Sequence, residues 1–389
     1  MTTATPGSSY RQWVDAQISR FKARFPGSDV RVTNLSSNND QLNATVQAAF
    51  AANTAPDVMM LYSGTQTTQF ATKLLPLAPY IAATPGFYDS LTEWSAACVN
   101  YDCGGGTSPN VVAVPADSYG YYNFYNKDLF AKAGIAAPPT TYEEAYADCA
   151  KFTQIGVYGF IWGDRDGYAT TTALDEDIAS YLKPDEWKGA ITGTLKANDP
   201  RIVAAVEALR KFAQIGCVQP DYATREQLDS ANDFLNGKGA MFLGQPQFLP
   251  YWSAIESKID VAPWPSSGPY SGQITADAGE SWMIPKQAQH KDLAWQLIQL
   301  FTDATAEQTM PTFLGSPPNN KVAQATVQDP IVKKMAQFGN EATMPLYDNI
   351  IPAAVATVLW RELNLAFSGK STASQALQVV QQTWDATAP

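Results

Sequence analysis

Loops that follow predicted strands in this chain combine planar polar side chains with aromatic rings. Carboxylates, amides and guanidinium groups can match the hydroxyl groups of a ligand, and open α/β sheets bind ligands beyond the carboxyl ends of their strands. Aromatic rings can pack on the C–H faces of a sugar. The candidates for contacts of this kind in these loops are Asn38, Asp40, Tyr62, Ser63, Gln66, Trp162, Asp164, Arg165, Gln245 and Gln247.

Several of these residues also have a purely structural interpretation. Asp40 stands where the N-cap of the next helix is expected, which leaves Asn38 freer to reach a ligand. The 62–66 segment has the composition of a turn followed by an N-cap. Trp162 lies beside a glycine and three charged residues, and we expect it to be functional rather than part of the core.

Composition excludes several classes of function. The formal net charge is −11 and the pI is about 4.6, so a phosphate backbone or an anionic membrane would repel the chain. A single histidine cannot build a multi-histidine metal site, and we expect neither a metal nor a cofactor. Charged residues are only 16% and aromatic residues are 12%; the rings belong either to the core or to a sugar-stacking surface.

The four cysteines permit a fully paired set. Cys98 and Cys103 bracket a short segment that suits a local disulfide, and Cys149 and Cys217 would then form a long-range pair. The pairing predicts an oxidising compartment; the alternative is a cytosolic protein with four thiols. The N-terminus lacks a basic and an apolar signal region, and we interpret it as mature sequence from which an export signal was removed, with Met1 added.

Strand and helix patterns alternate along the chain. Apolar spacing predicts a helix over residues 9–25, a strand over 30–35 and a helix from Asp40. The short apolar run at 57–62 is typical of a buried parallel strand. Together they indicate an α/β fold with right-handed crossovers.

The same alternation continues to the C-terminus. Thr140-Thr141 and Asp199-Pro200 predict helix starts, and the chain is expected to be mostly helical from Asp292. Further strands are predicted at 111–114, 120–125, 158–162, 240–243 and 259–262, and late helices at 350–367 and 372–385.

Several segments in order resemble the sugar-binding proteins of bacterial ABC transporters, the maltose-binding-protein-like class. The most specific is VPADSYGYYNFYNKDLFAKAGIAAPPTTYEEA at 114–145. The others are FKARFPGSDVRV at 21–32, APDVMMLYSG at 55–64, FLNGKGAMFLG at 234–244, GESWMIPKQAQHKDLAWQLIQLF at 279–301 and SGKSTASQAL at 368–377. One departure is that only residues 2–5 remain for the family's first strand.

The resemblance implies an α/β, two-lobed periplasmic-binding-protein fold of type II, with a ligand cleft between lobes joined by three hinge crossovers. The lobes would be 1–115 plus 266–314 and 116–265 plus 315–389, with crossovers near 114–118, 262–268 and 312–318. It adds site residues in loops that face the cleft in the family: Asp117, Tyr119, Phe248, Gly279, Glu280, Trp282, Tyr347 and Asn349. Trp282 is either a ring platform or core, and Trp360 is assigned to the core by its spacing from Leu363 and Phe367.

The function that the resemblance implies is the binding of a mono- or oligosaccharide and its delivery to membrane permease subunits, without catalysis. The protein would be an extracytoplasmic monomer, lipid-anchored in its precursor. One alternative is a non-sugar solute, such as a polyamine or a glycerophosphodiester. Arg165 is the evident cation for the phosphate group of a glycerophosphodiester. Another is a glycosidase that pairs Asp164 or Asp166 with Glu280.

Overall fold

A computed structural model describes residues 1–4, 6–36, 39–183, 185–270, 272 and 274–387, with only the backbone described at Asn39 and Asp40. The chain divides into two compact units. Unit 1 comprises Met1–Tyr119 and Asp277–Ala336, and unit 2 comprises Gly120–Ala276 and Gln337–Pro389. No helix among the described residues is long and apolar enough to cross a membrane.

The helices and strands alternate along the first two segments. Residues 1–119 contain α1 (Ser9–Arg24), α2 (Asn39–Ala51), β1 (Met59–Tyr62), α3 (Thr65–Phe70), α4 (Ala78–Ala82), α5 (Phe87–Ser90) and β2 (Ala113–Pro115). Residues 120–276 contain β3 (Tyr122–Asn126), α6 (Lys127–Lys132), α7 (Tyr142–Gln154), β4 (Tyr158–Phe160), α8 (Tyr168–Ile178), α9 (Lys188–Thr192), α10 (Pro200–Gln214), α11 (Gln227–Leu235), β5 (Gly239–Gly244), α12 (Phe248–Tyr251) and β6 (Ile259–Ala262).

The rest of the chain is mostly helical, as the sequence predicts. It contains β7 (Glu280–Met283), α13 (Lys291–Phe301), α14 (Ala304–Glu307), α15 (Met310–Leu314), α16 (Lys321–Gln324), α17 (Pro330–Glu341), α18 (Tyr347–Ile350), α19 (Ala353–Phe367) and α20 (Ala373–Thr387). Short 3-10 helices lie at Ala71–Lys73, Ser95–Ala97, Val99–Tyr101, Gly104–Gly106, Ala179–Tyr181, Tyr222–Thr224 and Ser253–Lys258.

The sheet of unit 1 has the order β1-β7-β2, and both pairs are antiparallel. The expectation of a parallel strand at 57–62 is therefore wrong, because β1 lies against β7, a strand from the second segment of the unit. Residues 30–35 do not form the predicted strand either. Their pairing is limited to one parallel bridge between Asn34 and Thr2, since the short N-terminal segment offers little chain to pair with.

The sheet of unit 2 is mixed, with the order β4-β5-β3-β6. β4 and β5 are parallel, whereas β3 runs antiparallel to both β5 and β6. Each of these strands lies where the sequence predicts one. Two helix starts are also confirmed, because the Asp199 side chain accepts from the amide of Arg201 and Thr141 accepts from that of Glu144.

The unit boundaries differ from the predicted lobe boundaries. The chain crosses between units after Tyr119, Ala276 and Ala336. The proline-rich 312–318 segment stays with unit 1, because the side chain of the following Asn319 donates to the Pro115 carbonyl at 2.9 Å. Residues 262–268 stay with unit 2, since the amide and carbonyl of Ser266 bond Thr140 and Tyr142.

Both predicted disulfides are present, which contradicts the alternative of four thiols. Cys98 is bonded to Cys103 in unit 1, and Cys149 is bonded to Cys217 in unit 2. Cys149 lies on α7, and Cys217 lies three residues after the last residue of α10. The second bond therefore ties these two helices together.

Candidate functional site

Unit 2 carries a group of aromatic and polar side chains that we call the Tyr168 cluster: Tyr121, Tyr168, Gln245, Asp348 and Trp360. The Tyr168 ring lies edge-on to Tyr121 and Trp360, with centroid distances of 5.8 and 5.2 Å. Its hydroxyl group pairs with that of Tyr121 and accepts from the Gln245 amide at 2.8 Å. Tyr168, Gln245 and Trp360 each remain partly exposed, so the cluster presents rings and an amide at a surface.

A glycine allows α8 and α19 to meet at this cluster. Gly167 precedes Tyr168 with φ of +80°, and a Cβ there would lie 1.9 Å from the carbonyl oxygen of Trp360. No other residue fits so close a backbone approach. The glycine thus sets the position of Tyr168 relative to Trp360.

Asp164 fixes the start of α8 through its hydrogen bonds. It is fully buried, and its carboxylate accepts from the amide and hydroxyl groups of Thr170, each at 2.8 Å. The Asn364 side chain on α19 donates to the same carboxylate at 3.2 Å. Burial raises the pKa of Asp164 to about 7, although these hydrogen bonds oppose the shift. These hydrogen bonds give Asp164 a structural role, and its contact with a ligand stays a prediction.

A row of buried carboxyl groups lies behind the cluster. The Trp360 indole donates to Asp348 at 3.1 Å, and the Asp348 amide donates to Asp175 at 3.1 Å. Burial raises the pKa of Asp348 to about 6, and burial together with Asp348 raises that of Asp175 well above its usual range. Asp348 therefore holds the indole ring of Trp360 in place.

Three aromatic residues predicted to contact a ligand lie in the interior instead. Trp162 stacks on Phe367 in unit 2, with centroids 5.1 Å apart, and Trp282 stacks on Phe301 in unit 1 at 4.3 Å. Tyr347 has no exposed surface. Burial favours a structural role for all three rings, and their contact with a ligand stays a prediction.

The other residues of unit 2 that were predicted to contact a ligand differ in their exposure and in their contacts. Arg165 is exposed and forms an ion pair with Glu226, which balances its charge. Phe248 is half-buried and stacks on Trp252 at 5.1 Å, while Gln247 is exposed. Asn349 is half-buried, and its backbone amide donates to the Leu346 carbonyl at 3.1 Å.

The predicted polar residues of unit 1 bond within the unit. Asp117 is buried and accepts from the amides of Gly279 and Glu280 at 2.9 and 3.1 Å. Burial, with the charge of Glu280, raises the pKa of Asp117 to about 7. Glu280 itself accepts from the hydroxyl groups of Thr3 and Tyr10. These two carboxyl groups join β7 to the chain around it, which gives them a structural role, and their contact with a ligand stays a prediction.

Ser63 and Gln66 are buried as well. The hydroxyl groups of Ser63 and Ser281 pair at 2.7 Å. Gln66 accepts from the Tyr62 amide at 2.9 Å and donates to Asn43 at 3.0 Å. The turn interpretation of the 62–66 segment therefore accounts for these two side chains.

Tyr62, Tyr119 and Gly279 remain candidates at the surface of unit 1. Both tyrosines are half-buried, and Tyr119 pairs with Asp277 through two backbone hydrogen bonds of 2.8 Å. A Cβ on Gly279 would lie 2.7 Å from the Tyr119 ring, so the glycine lets the ring rest on the backbone. Asn38 and the side chain of Asp40 lie outside the described residues.

The sequence interpretation missed Tyr121, Tyr168 and the exposure of Trp360. Trp360 follows the buried Leu359, and spacing from Leu363 and Phe367 assigned it to the core. It also lies three and four residues from the exposed Thr357 and the half-buried Asn364. That second spacing places Trp360 at the edge of the apolar face of α19, and it was the sequence feature that could have predicted the partial exposure of the ring.

Comparisons with known proteins identify the family. The family model for bacterial extracellular solute-binding proteins matches residues 2–308. An uncharacterized ABC transporter extracellular-binding protein of Pyrococcus horikoshii is 23% identical over 371 residues, which is 92% of this chain and 80% of that protein.

Two further proteins are similar to this chain. The sn-glycerol-3-phosphate-binding periplasmic protein of Shigella dysenteriae is 24% identical over 233 residues, 59% of this chain and 52% of that protein. A solved chitin oligosaccharide binding protein superposes with a TM-score of 0.86 at 17% identity, covering 99% of this chain and 97% of that one. The structural match confirms the periplasmic-binding-protein fold. With the family model matching most of its length, the chain belongs to the bacterial extracellular solute-binding proteins.

Proposed function

We propose that this chain binds a mono- or oligosaccharide outside the cytoplasm and delivers it to the permease subunits of an ABC importer, without catalysing a reaction. The observation that carries the proposal is the Tyr168 cluster of unit 2. It joins the partly exposed Trp360 and Tyr168 rings to the Gln245 amide. A sugar needs an apolar ring for its C–H face and a planar polar group for its hydroxyls.

Hydrogen bonds within unit 2 orient the side chains of the cluster. Trp360 is held by its hydrogen bond to Asp348, and Tyr168 is held through its hydroxyl by Gln245 and Tyr121. Ordering of these side chains would cost little free energy on binding, which favours affinity. The similarity to a chitin oligosaccharide binding protein supports the same class of ligand.

A phosphorylated solute is the second candidate, because one relative binds sn-glycerol 3-phosphate. Such a ligand needs a cation or a helix N-terminus. The structure pairs Arg165, the cation that the sequence suggested, with Glu226. A polyamine would need free carboxylates, yet Asp164, Asp175 and Asp348 are buried and hydrogen-bonded within unit 2.

Thermal-shift screening tests the class of ligand. Chitotriose, maltotriose and xylotriose are compared with glycerol 3-phosphate and spermidine, because a ligand at 100 times its Kd adds about 2.7 kcal/mol to stability. We expect at least one saccharide to raise the Tm. A shift with glycerol 3-phosphate or spermidine and with no saccharide contradicts the proposal.

Turnover is tested separately. Chromogenic glycosides are incubated with the protein and with Glu280→Gln, since Glu280 belongs to the carboxylate pair of the glycosidase alternative. We expect no release of chromophore from either protein. Release by the wild type that the substitution abolishes would contradict the non-catalytic assignment.

A further inference from the structure

Unit 1 has a concavity of about 470 Å³ that the proposed function does not use. It is lined by the end of α1, by α4 with the residues after it, and by α13, all of them in unit 1. Its volume is within the usual range of small-ligand sites, roughly 300–1,000 Å³. The concavity is large enough for a sugar ring.

Tyr80 gives the concavity a fixed aromatic wall. Its ring packs on the buried Trp295 with centroids 5.6 Å apart, and its hydroxyl donates to Asp292 at 3.1 Å. Thr84 donates to the Tyr80 carbonyl at 3.0 Å and accepts from the Trp295 indole at 3.1 Å. The half-buried ring is therefore held in one orientation.

Three planar polar side chains around this wall have no hydrogen-bond or ion-pair partner among the described residues. Gln296 and Gln299 line the concavity from α13, and Arg24 lines it from α1. Within the described part of the chain, neither amide and no nitrogen of the guanidinium has a hydrogen-bond or ion-pair partner, although Arg24 lies over the Phe25 ring at 5.6 Å. All three groups are free to bond a ligand.

The charges of the concavity favour a neutral ligand. Arg24 and Asp292 both line it and have opposite charges. A phosphate group would meet the Asp292 carboxylate, and a polyamine would meet the Arg24 guanidinium. An uncharged hydroxylated ring avoids both repulsions and can use donors and acceptors of either kind.

We infer that this concavity is a second saccharide site, contained within unit 1, that binds one pyranose ring of a neutral sugar. The C–H face of the ring packs on Tyr80, and its hydroxyl groups bond Gln296, Gln299 and Arg24. The site is open at the surface and takes a single ring, so we expect its affinity to be low.

Nuclear magnetic resonance of the full chain tests this inference. Uniformly nitrogen-15-labelled protein is titrated with chitotriose, maltotriose and xylotriose into the tens of millimolar. The Trp295 indole and the Gln296 and Gln299 amides are followed, each assigned by substitution. We expect saturable shifts of these signals with at least one saccharide, at concentrations at least about tenfold above those that saturate the Trp360 indole.

Variants then locate the binding event. Tyr80→Ala and the double variant Gln296→Ala/Gln299→Ala should abolish the shift of the Trp295 indole, which both variants retain. Tyr80→Phe keeps the ring and should weaken binding only a few-fold. Leu293→Ala is the matched control, because Leu293 is exposed on the same helix and does not line the concavity. Equal loss in Leu293→Ala would overturn the inference.

The outcomes separate this site from the proposed function. Shifts at Trp360 with none at Trp295, Gln296 or Gln299 overturn the second site and leave the proposed function standing. Shifts that persist at Trp295 in Trp360→Ala support the second site. The absence of any shift with every saccharide contradicts both.

Discussion

The polar side chains beside the strands of unit 1 mostly bond within that unit, whereas unit 2 presents rings and an amide at its surface. Asp117 accepts from two backbone amides near β7 and has almost no exposed surface. Gln245 follows β5 in unit 2, stays partly exposed, and bonds the hydroxyl of a half-exposed tyrosine. Similar residue types at strand ends therefore build scaffold in one unit and a candidate binding surface in the other.

The two disulfides differ in the length of chain that they close. Cys149–Cys217 spans 68 residues, and Cys98–Cys103 spans 5. Loop entropy predicts a loss of about 4 kcal/mol for Cys149→Ala/Cys217→Ala and about 2 kcal/mol for Cys98→Ala/Cys103→Ala. Urea unfolding of both double variants measures the difference, and an equal or reversed ranking would contradict it.

Gly167→Ala should disrupt the Tyr168 cluster through the backbone. The new methyl group would meet the Trp360 carbonyl at 1.9 Å, at a φ of +80°. We expect a loss of about 3 kcal/mol or more, since backbone cannot move aside as a flexible side chain can.

Gly193→Ala is the matched control for this change. Gly193 has a φ of +72° in the same unit and no atom within 4 Å of an added Cβ. Its loss should be about 1 kcal/mol. Chemical denaturation compares the two variants, and similar losses would show that contact with Trp360 is not what requires glycine at position 167.

Asp117→Ala tests whether unit 1 uses this carboxylate as scaffold. The substitution leaves the amides of Gly279 and Glu280 without their acceptor. We expect a loss of about 2 kcal/mol in unfolding free energy and little change in saccharide affinity. Isothermal titration next to urea unfolding checks both, and a large loss of affinity at unchanged stability would assign Asp117 to binding after all.

The buried carboxyl groups of unit 2 should make stability fall as pH rises. Burial raises the pKa of Asp164 to about 7 and that of Glu176 to about 8. The folded chain therefore binds more protons than the unfolded chain between about pH 4 and 8, and the stabilisation present below pH 4 is lost through that window.

Thermal unfolding from pH 5 to pH 8 measures this effect. We expect the Tm to fall by roughly 5 °C or more, with a smaller fall in Glu176→Gln, which cannot ionise. Asp15→Asn is the control, because Asp15 is exposed on α1 of unit 1. A Tm that rises with pH would contradict the predicted direction.

The sequence predicts local features, such as helix starts and disulfides, better than it predicts contacts between distant parts of the chain. Helix starts at Thr141 and Asp199 follow from local cap chemistry, and both disulfides follow from cysteine spacing. The antiparallel partner of β1 comes from more than 200 residues away along the chain, and no local pattern encodes that pairing. The sequence therefore misassigned residues 57–62 as a parallel strand.

The sequence also does not predict which aromatic side chains are exposed. Trp162 and Trp360 each follow an aliphatic residue and precede charged residues in sequence. Trp162 nevertheless stacks inside unit 2, whereas Trp360 lies at its surface. The difference comes from Phe367, which covers one face of Trp162 from the end of α19. Such a contact depends on how α19 packs, which the spacing of apolar residues specifies only coarsely.

Saccharide titration of Trp360→Ala and Trp360→Phe tests the central claim most directly. We expect roughly 30-fold weaker binding for Trp360→Ala, equivalent to about 2 kcal/mol for a well-packed aromatic contact. Trp360→Phe keeps a ring and should lose less, and Tyr158→Ala, another exposed aromatic of unit 2, should bind as the wild type does. Unchanged affinity in Trp360→Ala, in a chain that still folds and binds the saccharide, would contradict the assignment of the Tyr168 cluster as the binding surface.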